Sequence, residues 1–253
     1  MIIKYVSEVD VCRVYLCPMR KFAISDIHGC IFSLQALLDK IALSTSDELY
    51  LLGDYIDRGP DSKGVIDLVL SLQANGYRVY CLRGNHEQML LESLNGWNTY
   101  FDWIDNWGGQ QTMDSFEALV PKKIPAPYWD FFNGLGYFSE VDGYILVHAG
   151  LDFSRDNPLQ PNKDMLYLRN WYGQLDREWL DGRIIVHGHT PVAKQEVEDM
   201  LRNLHRLPVI DIDGGCFAKH LPGKGYLCAF DMTNRELFFQ KNLDDMSGYW
   251  KSR

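Results

Sequence analysis

The stretch GDYIDRGPDSKG, Gly53 to Gly64, follows the apolar run ELYLL and is followed by VIDLVLSLQANG. A segment with strand character therefore delivers Asp54, Asp57 and Arg58 into a loop just before a helix. Taken alone, the stretch reads first as a charged surface turn around Pro60. Its neighbours decide between the two readings.

Working outward, the same arrangement recurs on both sides. KFAIS reads as a buried strand, and IFSLQALLDKI places Ile31, Leu34, Leu38 and Ile41 at helical spacing, with DIHG between them. YRVYCL reads as a third strand and EQMLLESL as a third helix, separated by RGNH; Gly76 stands where the second helix would be capped. The second half is richer in strands: YFSEV and YILVH around Asp142-Gly143, then RIIVH, PVIDID and a hairpin from YLCAFDM to ELFFQ across Thr233-Asn234. HAG follows YILV, and HGHT follows RIIV. In open α/β sheets, ligands collect where strand-end loops converge, so these polar loops predict one shared site.

The 253 residues show no repeat, low-complexity tract or linker, which predicts a single domain over 1–253 with a core that needs no staples. Residues 1–18 precede MRKFAISDIHG and read as an extra edge strand or an upstream extension. Residues 95–127 differ in texture, with Trp97, Trp103, Trp107, GGQQT and PKKIPAP, and read as a partly helical insertion. Its tryptophans are expected to pack it onto the core, or else to wall a substrate cleft.

Acidic residues outnumber basic ones, 34 to 25, for a formal charge of −9, which argues against nucleic acid or an anionic membrane as partner. No run reaches the roughly 18 apolar residues of a membrane span, and MIIKYVSEVDVCRVYLCPMRKF is too polar for a signal peptide, so the expected location is the cytoplasm. The cysteines, Cys12, Cys17, Cys30, Cys81, Cys216 and Cys228, form no CxxC pair and read as structural reduced thiols.

The strand-end residues are Asp26 and His28; Asp54, Asp57 and Arg58; Arg83, Asn85 and His86; His148; and His187 and His189. Oxygen and imidazole donors without thiolate suit manganese, iron or zinc, and a carboxylate can bridge two ions about 3.5 to 4 Å apart. Such a pair brings the pKa of a shared water toward about 7 and neutralises charge on a phosphoryl oxygen. Arginine forks beside it would clamp the remaining phosphate oxygens. The set points to phosphate ester hydrolysis.

The ordered motifs DIHG, GDYIDRG, GNHE, HAG and GHTP, from Asp26 to Pro191, resemble those of the metallophosphoesterases, and among them the phosphoprotein phosphatase family with its bacterial and bacteriophage members. The resemblance implies an α/β (α+β) fold, a two-layer mixed β sandwich flanked by helices, with a dinuclear metal site at strand ends. It implies Asp26 and His28 as ligands of one metal, Asp54 as the bridge, and Asn85, His148 and His189 as ligands of the other, with two divalent ions, manganese first and iron or zinc as alternatives. His86 matches the general acid and Asp57 the carboxylate that orients it. Arg58, Arg83 and, in LYLRNWY, Arg169 match phosphate-binding arginines. His187 reads as packed beside the ligands, and His205 and His220 fall outside every motif.

Pro191 stands where nuclease and phosphodiesterase branches carry the second histidine of GHxH, which favours the phosphoprotein phosphatase branch. The first expectation is thus a phosphatase acting on phosphoserine or phosphothreonine, and also phosphotyrosine, in a protein or peptide partner. The alternative is a diadenosine polyphosphate hydrolase, whose family shares these motifs. A non-catalytic phosphate-binding module would lack a ligand or the acid, and all of them stand.

Overall fold

A computed structural model of the protein describes residues 19–247. The expectations for residues 1–18, with Cys12 and Cys17, lie outside these residues. In chain order the first half runs β1 (Lys21–Ile24), α1 (Ile31–Lys40), β2 (Glu48–Leu51), α2 (Ser62–Ala74), β3 (Arg78–Cys81) and α3 (Asn85–Glu92). Next come α4 (Trp97–Trp107), α5 (Gly109–Ser115) and α6 (Ala126–Gly134). The rest comprises β4 (Phe138–Val141), β5 (Tyr144–Val147), α7 (Asp164–Tyr167), α8 (Arg177–Leu180), β6 (Ile184–His187), α9 (Lys194–Arg202), β7 (Val209–Asp211), β8 (Tyr226–Asp231) and β9 (Glu236–Lys241).

The strands form two sheets, one ordered β3-β2-β1-β8-β9 and one ordered β4-β5-β6-β7. Each is mixed: β1, β2 and β3 pair in parallel and β8 turns antiparallel, while β5, β6 and β7 are parallel and β4 antiparallel. The predicted two-layer mixed sandwich with flanking helices is what the chain adopts.

Side-chain alternation explains the layering. In β1, Phe22 and Ile24 enter the core shared with α1 and α2, while Ala23 points into the core between the sheets; Leu49 and Leu51 divide from Tyr50 in the same way. In β5, Tyr144 and Leu146 face the intersheet core, and Ile145 and Val147 pack outward against Met165, Trp171 and Leu180. Both faces are buried, so these strands read as continuous apolar runs. The predicted hairpin forms, with Asp231 paired to Glu236 across the Thr233-Asn234 turn.

Residues 95–127 carry α4 and α5, with α6 beginning at their end. The expectation that their three tryptophans pack onto the core holds for Trp103 alone, which is 1% exposed, whereas Trp97 and Trp107 are 68% and 38% exposed. One face of α4 turns inward at Trp103, and the outward Trp97 ring stacks on Phe101 with centroids 5.9 Å apart. Among the described residues the cysteines are free, Cys30, Cys216 and Cys228 buried and Cys81 half-buried. No described helix is long and apolar enough to cross a membrane.

Candidate metal centre and active site

The loops after β1, β2 and β3 meet those after β5 and β6 at the carboxyl ends of the two sheets. Backbone bonds sew the first two together: His28 N–H donates to Asp54 O at 2.9 Å and Gly29 N–H to Tyr55 O at 2.8 Å. The approach is close because the motif glycines have no side chain. A Cβ at Gly53, where φ is +99°, would stand 2.4 Å from Gly84 N. Gly53→Ala therefore forces the second and third loops apart and strains the backbone; we expect at least about 2 kcal/mol lost by denaturant titration.

Six candidate residues occupy the left-handed backbone region: Asp26, His28, Asp54, Asp57, Arg58 and His189, with φ of 54°, 48°, 56°, 70°, 70° and 74°. Aspartate and histidine tolerate this region better than most residues, yet each such residue still costs about 1 to 3 kcal/mol. The surrounding loop bonds hold that strain in place.

Asp54 lies at the centre. Its Oδ2 faces His28 Nε2 at 3.5 Å and His86 Nε2 at 3.8 Å, and its Oδ1 faces His148 Nε2 at 3.4 Å. Two donor groups result, His28–Asp54–His86 and Asp54–His148–His189, each with ligand atoms within 4.8 Å of one another. Asp26 stands at the rim: its Oδ1 is 4.0 Å from His28 Nε2, and its Oδ2 accepts the Ser25 hydroxyl and the His189 backbone N–H.

Outer contacts set the tautomers. His28 Nδ1 donates to Ile56 O and His148 Nδ1 to Leu52 O, both at 2.9 Å, so each Nε2 turns a lone pair inward. His148 Nε2 also lies 3.0 Å from Asn85 Oδ1, which places two acceptors face to face. Burial, reinforced by Asp26 and Glu87, pushes the Asp54 carboxyl well up, and burial pushes His28 well down. His189 is pushed down to about 2, by burial first and by His148 next. Inward lone pairs crowded on a buried carboxylate fit divalent cations, and with Asp54 common to both groups the set suits a dinuclear metal site.

His86 has its Nδ1 2.7 Å from Asp57 Oδ2, while its buried Nε2 has no hydrogen-bond partner among the described residues. Burial raises the Asp57 carboxyl to about 8, against the pull of hydrogen bonds from Thr112 and Trp103. Arg58 reaches the centre, its Nη1 2.8 Å from His28 Nε2 and its guanidinium 4.3 Å from the Phe217 ring. Arg169 donates to Thr190 Oγ1 at 2.8 Å and borders a cavity of ≈ 250 Å³ with Tyr172, His187 and Asp211. Arg83 is turned elsewhere, donating to Gln88 and to the carbonyls of Phe132 and Asn133 in α6. His187 is packed as expected, with Nδ1 on Gly188 O and Nε2 on the Tyr172 hydroxyl.

Sequence reasoning assigned no role to Glu87 or Thr112, and read Trp103 only as core packing or a cleft wall. The fully buried Glu87 carboxylate accepts the backbone N–H groups of Asp54, Gly84, Tyr55 and Ile56 and so joins two motif loops. The last residue of GNHE was its one signal. The contacts of Trp103 and Thr112 span 46 and 55 positions, and no local pattern marks them.

A relative from Cellvibrio japonicus named symmetrical bis(5'-nucleosyl)-tetraphosphatase is 30% identical over 64% of this chain, and one of the same name from Pseudomonas putida is 27% identical over 64%. The matches span 61% and 57% of those relatives, so the chain covers about three fifths of their length. In fold, the chain is similar to the crystal structure of a protein provisionally described as a diadenosine tetraphosphatase, with a TM-score of 0.64 at 20% identity, covering 91% of this chain and 96% of that one. It is also similar to a protein serine/threonine phosphatase from Saccharomyces cerevisiae, with a TM-score of 0.56 at 14% identity, covering 90% and 81%. The sequence profile of the calcineurin-like phosphoesterases runs from residue 19 to 221, through every loop that meets at Asp54, and to that family this chain belongs.

Proposed function

We propose that the chain hydrolyses dinucleoside polyphosphates such as diadenosine tetraphosphate, using two divalent cations held by Asp26, His28, Asp54, Asn85, His148 and His189. The observation that carries the hydrolytic part is that Asp54 faces His28 with one carboxylate oxygen and His148 with the other. The names of the curated relatives support the substrate, and this reverses the order of the two expectations drawn from the motifs. Bound there, the cations would supply a nucleophilic oxygen at neutral pH and offset charge on the phosphoryl group.

The protein's own groups divide the remaining work. Asp57 holds the His86 ring by Nδ1 and leaves Nε2 to carry a proton to the departing oxygen. Burial, with Arg58 and His28 adding to it, pushes His86 well down, and the Asp57 carboxylate on Nδ1 favours the protonated ring that a leaving-group acid needs. Arg58 and Arg169 would bind phosphate oxygens from two sides, and the cavity beside Arg169 leaves room for a nucleoside. Arg83 would first have to leave its carbonyl partners in α6.

A serine/threonine phosphatase acting on a phosphoprotein is the second reading, on the motif set GDYIDRG, GNHE and GHTP. Turnover of diadenosine tetraphosphate and of a phosphoserine peptide under matched manganese separates the two. The dinucleotide is expected to lead by more than about tenfold in kcat/KM, about 1.4 kcal/mol of transition-state stabilisation. A preference for the peptide overturns the assignment.

A further inference from the structure

We propose that Trp103 and Thr112, contributed by α4 and α5, are positioning residues that fix the Asp57 carboxylate and, through it, the ring of His86. The proposal rests on reading His86 as the leaving-group acid. Trp103 Nε1–H donates to Asp57 Oδ2 at 2.7 Å, the same oxygen that His86 Nδ1 meets at 2.7 Å. Thr112 Oγ1–H donates to the other oxygen, Oδ1, at 2.6 Å. With both oxygens engaged, the carboxylate cannot rotate without breaking a buried bond.

The network also orients its own protons. The Asp57 backbone N–H points at Thr112 Oγ1, 2.9 Å away, and at Ser62 Oγ, 3.0 Å away. The single Thr112 proton is committed to Asp57, so Ser62 gives its proton to Thr112 across 2.9 Å. These groups are buried, with Trp103 1% exposed and Asp57, Ser62, His86 and Thr112 at 0%. The NWGGQQT segment is shaped to the same loop. Gly108 O accepts the Arg58 backbone N–H at 3.3 Å, and a Cβ on Gly108 would lie 2.7 Å from that nitrogen. A Cβ on Gly109 would lie 2.5 Å from the Trp103 ring. A tryptophan serving only to fill space needs no N–H, and a threonine serving only to pack needs no hydroxyl. Here both polar atoms meet one carboxylate.

The test removes those atoms and keeps the shapes. Trp103→Phe, Thr112→Val and Thr112→Ser are compared with wild type and His86→Asn in the full chain with manganese. The substrates are p-nitrophenyl phosphate and phenyl phosphate, the latter losing a phenolate of ordinary pKa, about 10, that needs a proton. Trp103→Phe and Thr112→Val should lower kcat for phenyl phosphate about tenfold or more, part of the 10²- to 10⁴-fold that acid assistance supplies, with less than about a threefold loss on p-nitrophenyl phosphate. KM and bound manganese should stay as in wild type, and Thr112→Ser should restore kcat. If Trp103→Phe does not fold, the two Thr112 variants decide. Equal losses on both substrates, or none, overturn the positioning role while His86→Asn still discriminates between them; a His86→Asn enzyme that does not discriminate overturns the acid reading and this proposal with it.

Discussion

Glu87→Gln is expected to destabilise the protein by about 2 to 6 kcal/mol, although the side chain keeps its size. Glu87 Oε1 accepts the N–H groups of Tyr55 and Ile56 at 2.8 and 3.3 Å, and Oε2 accepts those of Asp54 and Gly84, each at 2.9 Å. An amide has one acceptor oxygen, so its NH₂ must face a pair of backbone N–H groups. Two buried donors are left unpaired at roughly 1 to 3 kcal/mol each. Stability of a typical domain is only about 5 to 15 kcal/mol, so the melting temperature should fall by roughly 5 to 20 °C. Scanning calorimetry of the metal-free protein measures this directly. A shift within about 2 °C of wild type, less than 1 kcal/mol in a protein of this size, would show that the loops are held by something else. Burial alone pushes the Glu87 carboxyl up, and the four backbone N–H groups pull it down. The residue is kept where a neutral core would be easier to bury because it is the point at which the second and third motif loops are joined.

The strands and the loops that carry Asp26, His28, Asp54, Asp57, His86, His148 and His189 were legible because both signals are local. An apolar run marks each buried strand, and a cluster of polar residues follows it within a few positions. The helix α9 was legible but not read: Val197, Met200 and Leu201, with Leu204 just past its end, stand at helical spacing and pack into the intersheet core, among charges that made KQEVEDMLR look like a surface loop. Arg83 illustrates a different limit. Its place beside GNHE suggested a phosphate ligand, yet nothing local indicates that the carbonyl end of α6 lies within its reach. Trp103 could be read as apolar ballast in an insertion, but not as a hydrogen-bond donor to a residue 46 positions away. Partners joined by the fold leave no spacing in the sequence.

Asp54→Asn should have opposite effects with and without metal. In the metal-free protein the carboxylate is buried, and Asp26 and Glu87 add repulsion to the cost of its desolvation. Asparagine keeps the oxygen that accepts the His86 backbone N–H at 3.1 Å and removes the charge. The apo variant should therefore melt above apo wild type, by a few degrees if the relief is about 1 to 2 kcal/mol. Wild type should gain about 2.7 kcal/mol at manganese one hundredfold above its dissociation constant. The variant should gain little, because an amide oxygen cannot neutralise two cations, and its bound manganese and turnover should fall together. Calorimetry in chelator and in manganese, with metal analysis of the same samples, reads both signs at once. If the apo variant melts below apo wild type, Asp54 is a structural residue whose charge the fold needs. If manganese still stabilises the variant as it does wild type, Asp54 does not join the two donor groups. The predicted pattern, a more stable apoprotein that no longer takes up metal, is what a residue retained for catalysis at the expense of stability would give.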